Sequence, residues 1–320
     1  MTSIGPHVLG IAGMSREQIE FILATAQQFR EVNTRSVKKV PSLRGKTVIN
    51  LFLEPSTRTR TSFEIAAKRM SADAINISAG TSSVTKGETL IDTALTLQAM
   101  APDVVVLRHS ESGASHLLAE VLTKCAIINA GDGLHEHPSQ ALLDALTIQN
   151  RLGRLSDITL TMVGDVLRSR VARSNILLHR ILGNKVRIVA PPTLARKEFE
   201  KMGVEVFSRM EDAVVGSDVI MSLRMKFEYL KDIFVPNLDE YSRLYCVGEK
   251  HLKLAKPDCL LMAPGPFVRG VEVDSRVVDG PQSLVSDQVE NGVAVRMALL
   301  FLLTTGKGVS QPDIAEAGGI

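Results

Sequence analysis

Cysteine is scarce and poorly placed for chemistry. Among 320 residues there are three, Cys125, Cys246 and Cys259. They are odd in number, widely spaced and without a C-x-x-C pair, which argues against a disulfide framework and the usual zinc and dithiol motifs. A reducing compartment fits such usage, so the expected location is the cytoplasm. No run approaches the roughly 20 apolar residues that cross a bilayer, and the N-terminus has no basic stretch followed by an apolar segment and a small-residue cleavage site. The chain reads as soluble, with no membrane partner. Charge of one sign never accumulates either: the formal net charge is +2, no block of like charges occurs, and no nucleic-acid partner is expected. G-x-x-x-x-G-K-S/T is absent, as is a G-x-G-x-x-G after a strand, so no nucleotide cofactor is expected. Internal repeats and low-complexity tracts are also missing.

What is present is enough Val, Ile, Leu and Ala to fill two cores, in a chain longer than one core usually serves. Helical spacing of Ile19, Ile22, Leu23, Ala26 and Phe29 predicts a helix over 15–30, with Ser15 and Gln18 as a capping box. The apolar run 48–53, ended by Glu54-Pro55-Ser56 and followed by Phe63, Ala66, Ala67 and Met70, predicts strand, turn and helix. Strands 104–107 and 126–130 and a helix through Ala141, Leu142, Ala145, Leu146 and Ile148 continue the alternation, so the sheet should be parallel. After a pause at 151–154 the pattern restarts: strand 158–163, a helix near 168–182, strand 186–190, a helix near 194–202, then strands 204–207, 218–223 and 259–263. A last helix runs from about 287 to 303, opened by Asp287 and Glu290 as a capping pair. Residues 304–320 are Gly-rich with little apolar content, and 311–320 are expected to be disordered.

Ser56-Thr57-Arg58-Thr59-Arg60 concentrates hydroxyls and guanidiniums where a strand hands over to a helix. A helix start offers unpaired N–H groups and a positive dipole end, and arginine can fork two N–H bonds onto phosphate oxygens. A plain N-cap would need only one Ser or Thr. The segment 129–140 (NAGDGLHEHPSQ) follows a strand's C-terminal end, where open α/β sheets bind ligands, and His137 and Gln140 are spaced to face one ligand from a helix start. His135, Glu136 and His137 supply too few ligands for a metal, none is expected, and His135 reads as a solvated or locally hydrogen-bonded loop residue. Arg108, Arg168, Arg170 and Arg224 also sit near strand ends, so the common theme is a pocket for several negative charges. Lys86, in a polar loop before a helix, would on its own be a surface residue.

These features, in this order, are S-T-R-T-R with a trailing T-S-F-E, S-V-T-K-G-E-T, R-H, N-A-G-D-G-x-x-x-H-P-x-Q, V-G-D with S-R-V-A-R-S, and P-G-P. Over residues 10–303 the set resembles the aspartate carbamoyltransferase catalytic chain family. The resemblance implies an α/β fold of two doubly wound domains with mainly parallel sheets: 1–150 plus 291–310 for carbamoyl phosphate, and 151–290 for the amino acid, the C-terminal helix returning to the first. It implies that Ser56, Thr57, Arg58, Thr59, Arg108, His137, Gln140 and the Gly265-Pro266 backbone hold carbamoyl phosphate. Arg170 and Arg224 would bind the carboxylates of L-aspartate, and Lys86 would reach in from a neighbouring subunit of a homotrimer. Of these, Arg58, Thr59, Arg108 and His137 would be catalytic, and no metal or cofactor would be needed. A higher assembly with regulatory or dihydroorotase chains stays open.

Two positions depart from the family's usual pattern. Arg224-Met225-Lys226 stands where Arg-x-Gln is usual, and Ala263-Pro264-Gly265-Pro266-Phe267-Val268-Arg269 where His-Pro-Gly-Pro-x-Asn-Arg is usual. A lysine near the attacking amine would favour a more acidic acceptor, whereas a lysine pointing to solvent would leave the enzyme ordinary. The competing functions are carbamoyl transfer to another amine and a non-catalytic assembly paralogue. The S-M-G and H-C-L-P segments of ornithine enzymes are absent, and intact Arg58, Thr59, Lys86, Arg108, His137 and Gln140 speak against the paralogue.

Overall fold

The apolar run that precedes the S-T-R-T-R segment forms β1 (Thr47–Phe52), buried along nearly its whole length. The computed structural model describes residues 2–78, 87–226, 235 and 237–306, and they divide into two compact units. The first comprises residues up to Leu146 and from Glu290 onward, and the second Thr147–Val289.

In the first unit, α1 (Arg16–Arg30) starts with the expected capping box: Ser15 accepts from the backbone of Gln18, whose side chain returns to Ser15. There follow β1, α2 (Thr57–Arg69), β2 (Asp73–Ser78), α3 (Leu90–Ala99), β3 (Val104–His109), α4 (Ala114–Val121), β4 (Ala126–Asp132) and the start of α5 (Pro138–Leu152). The strands lie in the order β2-β1-β3-β4, all parallel. One face of this sheet packs Ile49, Leu51, Val105, Leu107 and Ile127 against Ala94, Leu97, Ala114 and Leu118 of α3 and α4. The last helix, α11 (Val285–Thr305), ends in this unit, where Phe301 meets Phe29 of α1 edge to face at 5.5 Å between centroids. Burial on both sheet faces explains why β1, β3 and β4 read as continuous apolar runs.

The second unit contains β5 (Thr159–Val163), α6 (Arg170–Ile181), β6 (Lys185–Val189), β7 (Glu205–Phe207), α7 (Met210–Val214), β8 (Val219–Ser222), α8 (Leu238–Tyr245), α9 (Glu249–Leu254), β9 (Leu260–Met262) and α10 (Ser275–Val278). Its sheet runs β7-β6-β5-β8-β9, again all parallel. Its core gathers Leu160, Met162, Val186, Ile188, Ile220, Met221 and Leu261 from the strands with Ala172 and Ile176 from α6. The fold is therefore doubly wound α/β in each unit.

Two expectations are corrected, and one strand is added. The helix read at 194–202 is a short 3-10 helix, Lys197–Met202, with no buried side chain to anchor an α-helix and with left-handed Gly203 ending it. The last helix opens at Val285, which puts Asp287 inside its first turn as a dipole partner rather than at its cap. Strand β2 went unread because it is an edge carrying Asp73, Asn76 and Ser78, short in apolar residues and with none of its side chains buried. The tail 311–320 lies outside the described residues.

Candidate active site

In the first sheet the strand order reverses between β1 and β3, and their C-terminal ends flank the crevice where such sheets take ligands. The register sets Phe52 against Arg108, and the Leu53 N–H donates to the Arg108 carbonyl at 2.9 Å. The turn 53–56 and Arg108 are thus neighbours because of strand pairing. Ser56 is the N-cap of α2, with extended φ of −161° and ψ of 97°, yet its hydroxyl makes no capping bond. No acidic residue occupies the first turn, so the positive end of the helix is not neutralised from within. Thr57 and Arg58 are exposed, Ser56 and Arg60 half-buried, and Thr59 buried beneath them.

Arg108 is held from two sides: Nη1 donates to the Ala130 carbonyl and Nη2 to Glu54 Oε1, each at 3.0 Å. His137, buried, directly precedes Pro138, the first residue of α5. Its carbonyl accepts the Gln140 N–H at 3.0 Å, and the Gln140 amide is aimed by Asp144, with Nε2 donating to Oδ1 at 2.9 Å. Arg296 of α11 underlies this region. It is fully buried, donates through Nη1 to Ser62 Oγ of α2 at 2.8 Å and lies over the Phe63 ring. Desolvation depresses its pKa to about 10, against the opposing pull of Asp144, so it stays charged at neutral pH. The donors gathered here are hydroxyls, guanidiniums, an imidazole and an amide, a set suited to an anion rather than a metal cation.

In the second unit the order reverses between β5 and β8. Gly164, just after β5, has φ of +116°, and an added Cβ would stand 2.8 Å from the Leu223 carbonyl, so only glycine fits this turn. Asp165 then grips Arg168, whose Nε is 2.8 Å from Oδ2; Arg168 is thereby a structural cation of the turn. Ser169 caps α6 through the Ala172 N–H at 3.1 Å and places Arg170 at the first helical position. Arg224 follows β8, half-buried. Glu272, fully buried, fixes that loop: its Oε1 accepts the Met225 N–H at 2.9 Å and its Oε2 the Val268 N–H at 2.6 Å. Burial raises the Glu272 pKa above the ordinary carboxylate range, against the two backbone bonds and the charge of Arg224. One carboxylate therefore ties the Arg224 loop to the segment after Gly265 and Pro266, which are themselves exposed. Lys226 is half-buried, and Ala263 is buried with its N–H donating to Gln288 Oε1 at 3.0 Å.

Strand register thus sets the turn before Ser56 to Thr59 beside Arg108 in the first unit, whose α5 start carries His137 and Gln140, while Arg170, Arg224, Gly265 and Pro266 lie in the second unit after β5, β8 and β9. Lys86 lies outside the described residues. Sequence reasoning missed Glu54, Asp144, Arg296 and Glu272. Two of them left a signal: Arg296 as the one charge in the apolar stretch 292–302, and Asp144 as the i,i+4 partner of Gln140.

Two family profiles match in tandem. The one described as "Aspartate/ornithine carbamoyltransferase, carbamoyl-P binding domain" covers residues 6–150, and "Aspartate/ornithine carbamoyltransferase, Asp/Orn binding domain" covers 156–303. The aspartate carbamoyltransferase catalytic subunit of Syntrophotalea carbinolica is 56% identical over 303 residues, which is 94% of this chain and 96% of that one. That of Beijerinckia indica is 54% identical over 298 residues, 93% and 94% of the two chains. Among solved structures, Trypanosoma cruzi aspartate transcarbamoylase with carbamoyl phosphate and aspartate superposes with a TM-score of 0.80 at 28% identity, covering 92% of this chain and 94% of that one. Pyrococcus furiosus ornithine carbamoyltransferase gives a TM-score of 0.83 at 29% identity, covering 97% and 100%. With both domain profiles matched in order along an α/β fold of the same kind, the chain belongs to the aspartate/ornithine carbamoyltransferase family.

Proposed function

We propose that the chain transfers the carbamoyl group of carbamoyl phosphate to the α-amine of L-aspartate, giving N-carbamoyl-L-aspartate and phosphate for pyrimidine synthesis. The observation that carries this reading is the uncapped start of α2 set beside Arg108 by the β1–β3 register. Residues 1–150 with 291–310 serve carbamoyl phosphate and 151–290 serve aspartate. The phosphate rests on the N–H groups and hydroxyls of Ser56, Thr57 and Thr59 and on Arg58. Arg108, His137 and Thr59 donate to the carbonyl oxygen, with Gln140 and the Gly265-Pro266 backbone orienting the carbamoyl end. Arg170 and Arg224 pair with the aspartate carboxylates.

The neutral α-amine forms the new N–C bond, charge builds on the carbonyl oxygen, and the C–O bond to phosphate then breaks. The departing phosphate takes the amine proton. Hydrogen bonds fixed in advance on the carbonyl oxygen stabilise that charge, and holding the two reactants together lowers the entropic barrier. His137 serves as a neutral donor rather than a base. Lys86 enters from a neighbouring subunit, so the working form is a homotrimer, in the cytoplasm. Aspartate as the acceptor is supported by the 52–56% identity of relatives named for aspartate carbamoyltransferase over nearly their whole length. Incubating carbon-13-labelled carbamoyl phosphate with L-aspartate tests the reaction: the label should appear in N-carbamoyl-L-aspartate. Label released only as carbamoyl phosphate breakdown products would refute it.

A further inference from the structure

Three ligand-bearing side chains outside the proposed active-site set converge on the first unit: His116 of α4, Asp132 at the end of β4, and His135 in the loop that follows. One ligand atom from each lies within 4.8 Å of the other two. His135 Nδ1 is 3.1 Å from Asp132 Oδ2, and the His116 and His135 rings meet edge to face with centroids 5.4 Å apart. In a four-coordinate ion with bonds of about 2.0–2.2 Å, neighbouring ligand atoms stand roughly 3.3 Å apart. The His135–Asp132 pair already stands near that spacing, and the His116 ring has to draw in as an ion binds.

We propose that His116, Asp132 and His135 form a site for a divalent transition-metal ion of the zinc class. Two imidazoles and one carboxylate are a borderline ligand set of the kind such ions take, and the remaining position falls to water.

The carboxylate is oriented in advance, as the outer shell of a metal site requires. Asp132 Oδ1 accepts Asn129 Nδ2 at 2.8 Å and the Glu136 N–H at 3.1 Å, while Oδ2 accepts the Gly113 N–H at 2.7 Å. The histidines meet because two loops are pressed together. Gly133 has φ of +48°, and a Cβ there would stand 2.4 Å from Ser112 Oγ and 2.6 Å from the Ser112 nitrogen. The Leu134 N–H donates to that same Ser112 hydroxyl at 3.2 Å. His116 is exposed and His135 partly so, which gives an ion access from solvent to a buried carboxylate.

The H-E-H triplet visible in the sequence is not this set. Glu136 turns away, its carboxylate accepting the Ile11 N–H at 2.7 Å and the Ala12 N–H at 3.1 Å. The third ligand comes instead from α4, which only the fold brings near. A bound ion links α4 to the loop that runs on to His137.

The test uses the full-length chain, stripped with a chelator and titrated with Zn2+ against a chromophoric competitor, then with Co2+ read by its visible spectrum. Binding of one ion per chain is expected, with a rise in Tm. His116→Ala and His135→Ala should each weaken binding by at least about 100-fold, more than the roughly 10–100-fold typical of losing an outer-shell partner. Cys246→Ser should change nothing. His116→Ala removes an exposed side chain, so its metal-free melting curve should match that of the parent. Absence of saturable binding, or binding undiminished in His116→Ala, would overturn the proposal.

Discussion

Arg108 Nη2 lies 3.0 Å from Glu54 Oε1, and the pair joins the end of β3 to the turn that leads into α2. A cation that must meet an anionic ligand is aimed by a carboxylate from the same strand pair. Glu54 is partly exposed, so the pair contributes less than a buried one. Its use is orientation. Glu54→Ala should lower kcat/KM by about tenfold, the equivalent of roughly 1.4 kcal/mol, and Glu54→Gln should recover part of the loss by keeping an acceptor. Steady-state kinetics of both variants checks this, with equal loss in the two contradicting the orienting role.

Glu272 gives a different split. With its carboxylate removed, the Met225 and Val268 N–H groups lose their acceptor and the loop carrying Arg224 loosens. Glu272→Ala should raise KM for aspartate by about tenfold or more while the Kd for carbamoyl phosphate, measured by calorimetry, stays put. A variant that lost both affinities together would point to general unfolding of the second unit.

Acid should weaken the second unit through His179. Its ring is fully buried, 2.9 Å from Asn184 Nδ2, and burial depresses its pKa from 6.5 to about 4. The unfolded chain therefore takes up this proton first. Stability is full above about 6.5 and is lost as pH falls toward about 4, by on the order of 3 kcal/mol. Urea midpoints across that range should fall, and His179→Gln should flatten the slope.

The sequence carried the parallel alternation, the capping box of α1 and the S-T-R-T-R helix start, because each is a local pattern of a few residues. Strand β2 escaped notice because an edge strand need not be apolar. Glu54, Glu272 and Arg296 escaped for another reason. They act on partners brought near by strand, loop or helix packing, with Ser62 and Arg296 far apart in the chain. The same limit hid His116 from the H-E-H loop. Asp144, by contrast, is the i,i+4 neighbour of Gln140 on one helix and lay within reach of the sequence.

Lys86 and Arg58 test the shared site. Each of Arg58→Ala and Lys86→Ala should be nearly inactive as a pure homotrimer. Mixed and reassembled in equal amounts, they should regain activity at about a quarter of the sites, those where one subunit supplies Arg58 and its neighbour Lys86. No recovery, in mixtures shown by mass to contain hybrids, would remove the shared-site proposal.

The measurement closest to the central claim is phosphate release from carbamoyl phosphate with L-aspartate and L-ornithine in parallel, for the parent chain and Arg58→Ala. Rapid release is expected with aspartate, none above background with ornithine, and loss of the aspartate rate in Arg58→Ala. Release driven by ornithine and not by aspartate, or an aspartate rate indifferent to Arg58, would contradict that claim.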